Sequence, residues 1–270
     1  MASNFPFTSA LVTGASSGIG EAMAELLGEA GIPTVVVARR KDRLQELAAR
    51  FATIEVIVAD LGRAKGLAAV VARIEDEAAP IDLVVNNAGF GTSGDFHTLD
   101  ADRLDAEVQL NVAALTRLSR AALGAMVPRG RGFLLNVSSV ASFQPAPKLA
   151  VYAATKAYVT SLTESLHEET RGTGVNVTAL CPGLTRTEFR ASAARRATPR
   201  STRRSHGWRR QRSPVPASMM SPRARRSPSR VCSTRGWSPP RGSPLVAWRG
   251  ASAASCSATE GHFFGLLDWP

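Results

Sequence analysis

Along residues 8–180, short apolar runs alternate with longer stretches in which apolar positions recur every three to four residues. The runs Ala10–Val12, Thr34–Val37, Val56–Val58, Leu83–Val85, Phe133–Val137 and Val175–Leu180 are continuous rather than alternating, the pattern of strands buried on both faces of a parallel sheet. Between them, Ile19–Ala30, Lys41–Phe51, Arg63–Ala79, Ala101–Val127 and Ala150–Arg171 carry helical spacing. Gly31-Ile32-Pro33 and Val127-Pro128-Arg129-Gly130 supply stops. Strands separated by helices predict βαβ units with right-handed crossovers. The expected fold is therefore a single α/β domain built on a doubly wound, Rossmann-type parallel sheet of six strands.

The pattern ends after Arg190. Residues 195–244 are dominated by Arg, Ser and Pro without apolar periodicity, and Pro at 199, 214, 216, 222, 228, 239, 240 and 244 would interrupt a helix or a central strand. Composition changes at the same place. The formal charge of the 270-residue chain is +11, but residues 1–190 hold 18 of the 33 Lys+Arg and 20 of the 22 Asp+Glu, a balance of −2. Residues 191–270 carry +13, and all 15 of their bases are Arg. All four Trp lie in this segment and all four Lys lie before it. Two regions are expected: a domain over 1–190 and an irregular or disordered Arg/Ser/Pro-rich tail over 191–270.

No secretory leader or apolar run of membrane-spanning length, about 18 residues, is visible, so a soluble cytoplasmic protein is expected. Cys181, Cys232 and Cys256 are odd in number and lack CxxC spacing, so neither a disulfide framework nor a metal site is indicated.

The first predicted strand runs into Thr13-Gly14-Ala15-Ser16-Ser17-Gly18-Ile19-Gly20 and then a helix. Glycines there permit a tight turn, the approach of a pyrophosphate and close packing of helix on sheet, while the helix N-terminus offers N–H groups to phosphate. Gly14, Ser16, Ser17, Gly18, Ile19 and Gly20 are thus candidate cofactor-binding residues. The same stretch matches the G-x-S-x-G elbow of serine hydrolases, with Ser16 as nucleophile, and a later His would then have to serve as base. At the end of the second strand, where a carboxylate would hold a ribose 2′-hydroxyl, stands Ala38-Arg39-Arg40-Lys41. Cations there suit a 2′-phosphate, which favours NADP over NAD; the alternative is a set of solvated bases opening a helix.

Tyr152 and Lys156 are spaced i, i+4 on a predicted helix, which puts phenol and ammonium on one face. A nearby cation stabilises phenolate, so the phenol becomes able to exchange protons nearer neutrality. Ser138 and Ser139 end the strand before that helix, and the carboxyl ends of strands line the ligand crevice in a doubly wound fold.

In these motifs, taken with Asp60 after the third strand, Asn86-Asn87-Ala88-Gly89 after the fourth, Asn111, and Pro182-Gly183 with Thr185 and Thr187, the chain resembles the short-chain dehydrogenase/reductase family over residues 8 to about 190. The resemblance implies an NADP(H)-dependent oxidoreductase that moves hydride between nicotinamide and a small-molecule carbonyl or secondary alcohol, with no metal. It implies Tyr152 as general acid/base, Lys156 on the nicotinamide ribose, Ser139 on the substrate oxygen, and Asn111 holding a water in a proton relay. Asp60 would contact adenine, Asn87 the cofactor backbone and Thr187 the nicotinamide amide, with Pro182, Gly183 and Thr185 nearby. Family members associate through the helices at 101–127 and 150–171, so a homo-oligomer is implied. Taken singly, Asn86 and Asn87 could cap a turn and Asp60 could cap a helix.

Past Thr187 the family continues with a lid, helices and a seventh strand, none of which the sequence predicts here. Arg-, Ser-, Pro- and Trp-rich sequence without Lys is what GC-rich DNA yields out of frame, and a frameshift near residues 190–200 is expected, leaving an unpaired sheet edge. The rival reading is an Arg-rich arm that binds nucleic acid beside a domain without activity.

Overall fold

The computed structural model describes residues 5–183 and 245–247. Residues 191–244 and 248–270, with the frameshift and nucleic-acid readings that fall on them, lie outside the described residues, as do Thr185 and Thr187.

Six parallel strands occupy the predicted places: β1 Ala10–Thr13, β2 Thr34–Ala38, β3 Ile54–Val58, β4 Leu83–Asn86, β5 Gly132–Val137 and β6 Val175–Cys181. The sheet order is β3-β2-β1-β4-β5-β6, so the chain reverses its direction of travel between β1 and β4. A ligand crevice is expected at that reversal. β1 and β2 pair in register, Ala10 with Thr34 through Thr13 with Val37. Every residue of β1, β2 and β4 is buried, which is why these strands read as unbroken apolar runs.

The helices are α1 Gly18–Glu29, α2 Lys41–Arg50, α3 Ala64–Ile74, α4 Ala101–Val108, α5 Leu115–Met126 and α6 Ala150–Glu169. Leu11, Val35, Val37, Leu134 and Val177 face a core shared with α3 and α5 through Val70, Ile74, Leu118 and Met126. Val12, Val36 and Leu180 face the other side, where Ala24 and Leu27 of α1 and Leu44 and Leu47 of α2 cover them. The doubly wound sheet is thus covered on both faces.

Four expectations need correction. The helix read as Arg63–Ala79 stops at Ile74; Glu75-Asp76-Glu77 would put three anions at the negative end of the helix dipole, and Asp76 instead accepts from the Ala78 N–H at 3.0 Å. The helix read as Ala101–Val127 is split by a π-helical turn over Gln109–Ala114. A seventh strand exists: β7, Leu245–Ala247, pairs in parallel with β6, Ala179 with Leu245 through Cys181 with Ala247. It is three residues long and follows Pro244 directly, too short to register as an apolar run, and it occupies the β6 edge expected to be bare. Finally, the core begins before residue 8, where the predicted pattern starts: Phe7 is 1% exposed, stacks on Phe5 and meets Phe133 edge-on at 5.7 Å between ring centres.

Among the described residues no helix is long and apolar enough to cross a membrane.

Candidate active site

A cleft of about 1080 Å³ opens at the carboxyl ends of the strands, on both sides of the β1/β4 reversal. One end is walled by Gly14, Ser16, Ser17, Gly18, Ile19, Arg39, Arg40 and Asp60, the other by Asn87, Ser139, Tyr152, Lys156, Pro182 and Gly183. The fold therefore gathers residues up to 169 positions apart in sequence into one wall.

The glycine-rich turn is shaped by what lies behind it. Gly14 has a φ of +68°, and a Cβ there would stand 2.9 Å from the Ala88 Cα. A Cβ on Gly20 would come within 2.4 Å of Asn87 Nδ2 and 2.6 Å of the Gly14 carbonyl oxygen. Gly20 is accordingly buried behind the cleft wall rather than on it; its part is to let α1 close on the β4 end. The Asn87 amide donates to the Thr13 carbonyl at 2.9 Å, and the Thr13 hydroxyl accepts from the backbone N–H of Asn87 and of Ala88. Asn87 thus braces the turn rather than capping a helix.

No side-chain capping bond closes the start of α1 at Ser17, so its first-turn N–H groups suit a phosphate. Arg40 reaches across the turn, donating from Nε to the Ser16 hydroxyl at 3.2 Å and from the guanidinium terminus to the Ser16 carbonyl at 2.9 Å. Arg39 is exposed on the same wall. Asp60 does not cap α3; its carboxylate accepts from the Gly62 N–H at 3.0 Å, and Arg63 holds the cap position before Ala64. A bare helix start, two guanidinium groups and a long cleft fit the phosphates of a dinucleotide. Ser16 has Arg40 as its partner, and among the described residues no histidine lines the cleft to serve as the base a hydrolase would need.

At the other end, the two adjacent serines separate. The Ser138 hydroxyl faces inward, 2.9 Å from the Lys156 carbonyl and 2.7 Å from the Thr160 hydroxyl. Ser139 lies on the wall, accepts from the Ala141 N–H at 3.1 Å and is hydrogen-bonded to the Tyr152 phenol. Lys156 is buried on the cleft wall, 6% exposed, its Nζ donating to the Val137 carbonyl at 2.7 Å and lying 5.8 Å from the centre of the Tyr152 ring. Burial pulls the Lys156 ammonium down to about 8, against the weaker pull of Cys181 and Glu107 in the other direction. Burial also raises the Tyr152 phenol, with Ser139 opposing and Glu107 adding to the rise, which corrects the expectation that the Lys156 cation brings the phenol nearer neutrality: desolvation outweighs it in the cofactor-free site.

Asn111 sits in the π-helical turn, buried behind Gly89. Its amide donates to the Phe90 carbonyl at 2.8 Å and to the Thr155 hydroxyl at 3.1 Å, and its Oδ1 accepts from the Phe90 N–H. Insertions of this kind in a helix are frequent at functional sites. The Thr155 hydroxyl in turn bonds the Tyr152 carbonyl at 2.8 Å, so Asn111 is tied to the helix turn that carries the phenol.

Sequence reasoning missed Thr155, Arg103 and Glu107, and quoted Thr13 in the glycine-rich motif without its bracing role. The Arg103 guanidinium lies 3.8 Å from the centre of the Phe90 ring at the cleft rim, and Glu107 lies one turn before Asn111 on α4. Helical spacing back from Asn111 was the signal that could have found both. Asn86 also does more than cap a turn: its amide donates to Asn136 at 2.9 Å and Ser119 at 3.1 Å beneath the sheet end.

The family model described as short chain dehydrogenase matches residues 8–198. An uncharacterised oxidoreductase of Staphylococcus aureus (strain MRSA252) is 34% identical over 185 residues, which are 68% of this chain and 80% of that protein. A short-chain dehydrogenase from Sphingobium yanoikuyae, solved in complex with NADPH, is 40% identical with a TM-score of 0.66 over 68% of this chain and 74% of that one. The bulky-bulky ketone specific alcohol dehydrogenase from Comamonas testosteroni is 41% identical with a TM-score of 0.64, covering 66% and 74%.

Proposed function

The chain belongs to the short-chain dehydrogenase family, an oxidoreductase family with NADPH-bound structural neighbours, and on that premise we propose that it is an NADP(H)-dependent reductase of ketones or aldehydes that also runs in the alcohol-oxidising direction. The observation that carries the reading is the Ser139–Tyr152–Lys156 cluster at one end of a cleft whose other end is a bare helix start flanked by Arg39 and Arg40.

The cofactor, when bound, supplies or accepts the hydride. Tyr152 donates its phenolic proton to the substrate oxygen during reduction and takes it back during oxidation. Ser139, on the Tyr152 phenol, orients the same oxygen. Lys156 stabilises the phenolate as the proton leaves, and its rigid bond to the Val137 carbonyl holds it there. With the Asn111 amide engaged by Phe90 and Thr155, a relay water at that position is held by the main chain of the π-helical turn. Arg40 and Arg39 receive the 2′-phosphate, Asp60 the adenine, and Ser16 to Ile19 the pyrophosphate. The contacts expected of Thr185 and Thr187, which lie outside the described residues, are part of the same proposal.

The frameshift reading is retained as a proposal: the family match ends at residue 198, inside the window where composition changes. Reading the DNA in its other two frames tests it; a missing apolar helix and strand continuation in both would reject it. Cytoplasmic location and self-association through α5 and α6 are proposed with it, supported in the second case by Tyr158, 39% exposed on α6. The functional test is NADPH and NADH titration followed by a panel of ketones and aldehydes. Tight NADPH binding with carbonyl-dependent NADPH consumption is expected; neither nucleotide binding would reject the reading.

A further inference from the structure

Glu107 has no part in the chemistry above, yet it is the most deeply buried acid among the described residues, with no exposed surface. No hydrogen bond of good geometry reaches either of its carboxyl oxygens, and Thr92 is the neighbour that faces them. A carboxyl buried with so little compensation is costly enough that its presence requires a reason. Glu107 lies one turn before Asn111, so the two share a face of the helix. That helix packs on α6, which carries Tyr152 and Lys156. Across from the carboxyl stands Thr92, whose buried hydroxyl and backbone face Glu107 and favour its ionised form.

We propose that Glu107 is a positioning residue of this reaction: buried one turn before Asn111, on the helix that packs against the Tyr152- and Lys156-bearing α6, its carboxyl sets the electrostatic field in which Tyr152 exchanges its proton. The proposal rests on the oxidoreductase reading above. The charged and titratable groups around it are Arg103 on its own helix and Lys156 and Tyr152 on α6. Lys156 is faced in addition by Cys181 at the end of β6.

The direction of the effect follows from Coulomb's law. A negative charge at Glu107 holds the proton on Tyr152 and keeps Lys156 cationic. Burial favours the neutral carboxyl, whereas Thr92, Arg103 and Lys156 favour the ionised one, so Glu107 titrates above ordinary carboxylates and is ionised by the time the phenol loses its proton. Reduction needs a protonated Tyr152 and oxidation a deprotonated one. Ionised Glu107 therefore extends the pH range over which the site reduces carbonyls and pushes oxidation to higher pH.

The first test needs no turnover. Tyr152 and Tyr158 are the chain's two tyrosines, so in a Tyr158→Phe background the near-ultraviolet absorbance of tyrosinate reports Tyr152 alone, with circular dichroism confirming that the fold persists. Adding Glu107→Gln should lower the Tyr152 midpoint by about half a pH unit or more. The alkaline limb of alcohol oxidation should shift the same way. If Glu107→Gln does not fold, Glu107→Met removes the charge with an apolar side chain of similar length suited to a buried site, and should lower the Tyr152 midpoint in the same direction. Superimposable Tyr152 titrations with and without the substitution overturn the proposal. A shifted titration in a protein that turns over no carbonyl would support the coupling and reject the oxidoreductase reading instead.

Discussion

Replacing Lys156 by methionine should stabilise the cofactor-free protein near neutral pH while destroying its activity. Lys156 is buried, 6% exposed, and burial lowers its ammonium from 10.5 to about 8. At about 1.4 kcal/mol per pH unit, that difference corresponds to a penalty of about 3 kcal/mol for carrying the charge into the fold. Because the folded-state value is the lower one, the unfolded chain binds more protons between pH about 8 and 10.5. The penalty is therefore fully present below pH about 8 and fades as pH rises to 10.5, where both states are neutral. The methionine variant carries no such charge. It loses the bond to the Val137 carbonyl, a constant cost of about 1–2 kcal/mol that does not vary with pH. Urea unfolding of both proteins from pH 6 to 10.5 isolates the variable part: the advantage of Lys156→Met over wild type should shrink by about 3 kcal/mol across the upper half of that range. A stability difference that stays flat with pH would refute the claim that a buried ammonium is the strained element of the site.

Three further outcomes follow from the geometry. Gly20→Ala places a methyl 2.6 Å from the Gly14 carbonyl oxygen, a backbone atom that cannot step aside, so stability should fall by about 1–3 kcal/mol and nucleotide affinity with it; calorimetric titration showing wild-type affinity would contradict this. Arg40→Gln removes a guanidinium from the cleft wall and should weaken NADPH about 10–100-fold, the worth of a charge-assisted bond, with NADH little changed; equal losses for both nucleotides would place Arg40 elsewhere than on the 2′-phosphate. Phe7→Ala should cost about 3 kcal/mol or more in chemical denaturation because the ring is enclosed against Phe5 and Phe133, and a cost below about 1 kcal/mol would mean that the N-terminal segment is not part of the core.

The sheet was legible because β1, β2 and β4 are buried on both faces and so read as unbroken apolar runs in the sequence. The residues along the cleft wall were legible for a different reason: the glycine turn, the Ser–Tyr–Lys spacing and the two arginines each carry a local chemical logic. What stayed hidden depends on tertiary context. Glu107 looks like a solvated acid on a helix, and only the packing of that helix against α6 reveals it as enclosed. Ser138 and Ser139 are equivalent in sequence; the strand's pleat turns one toward Thr160 and the other toward Tyr152. The π-helical turn at Gln109–Ala114 leaves no mark in an apolar pattern that continues through it, and β7 is too short to leave one.

The central claim is that Tyr152 serves a hydride transfer in this cleft. Its most direct measurement is transfer of deuterium from nicotinamide-labelled NADPH to the carbonyl carbon of a ketone, followed by mass spectrometry, in wild type and Tyr152→Phe. The account predicts label in the wild-type alcohol product, a rate about 10²–10⁴-fold lower in the variant, and NADPH affinity retained by both. Label transfer that proceeds undiminished in Tyr152→Phe, or NADPH binding absent from the wild type, would contradict it.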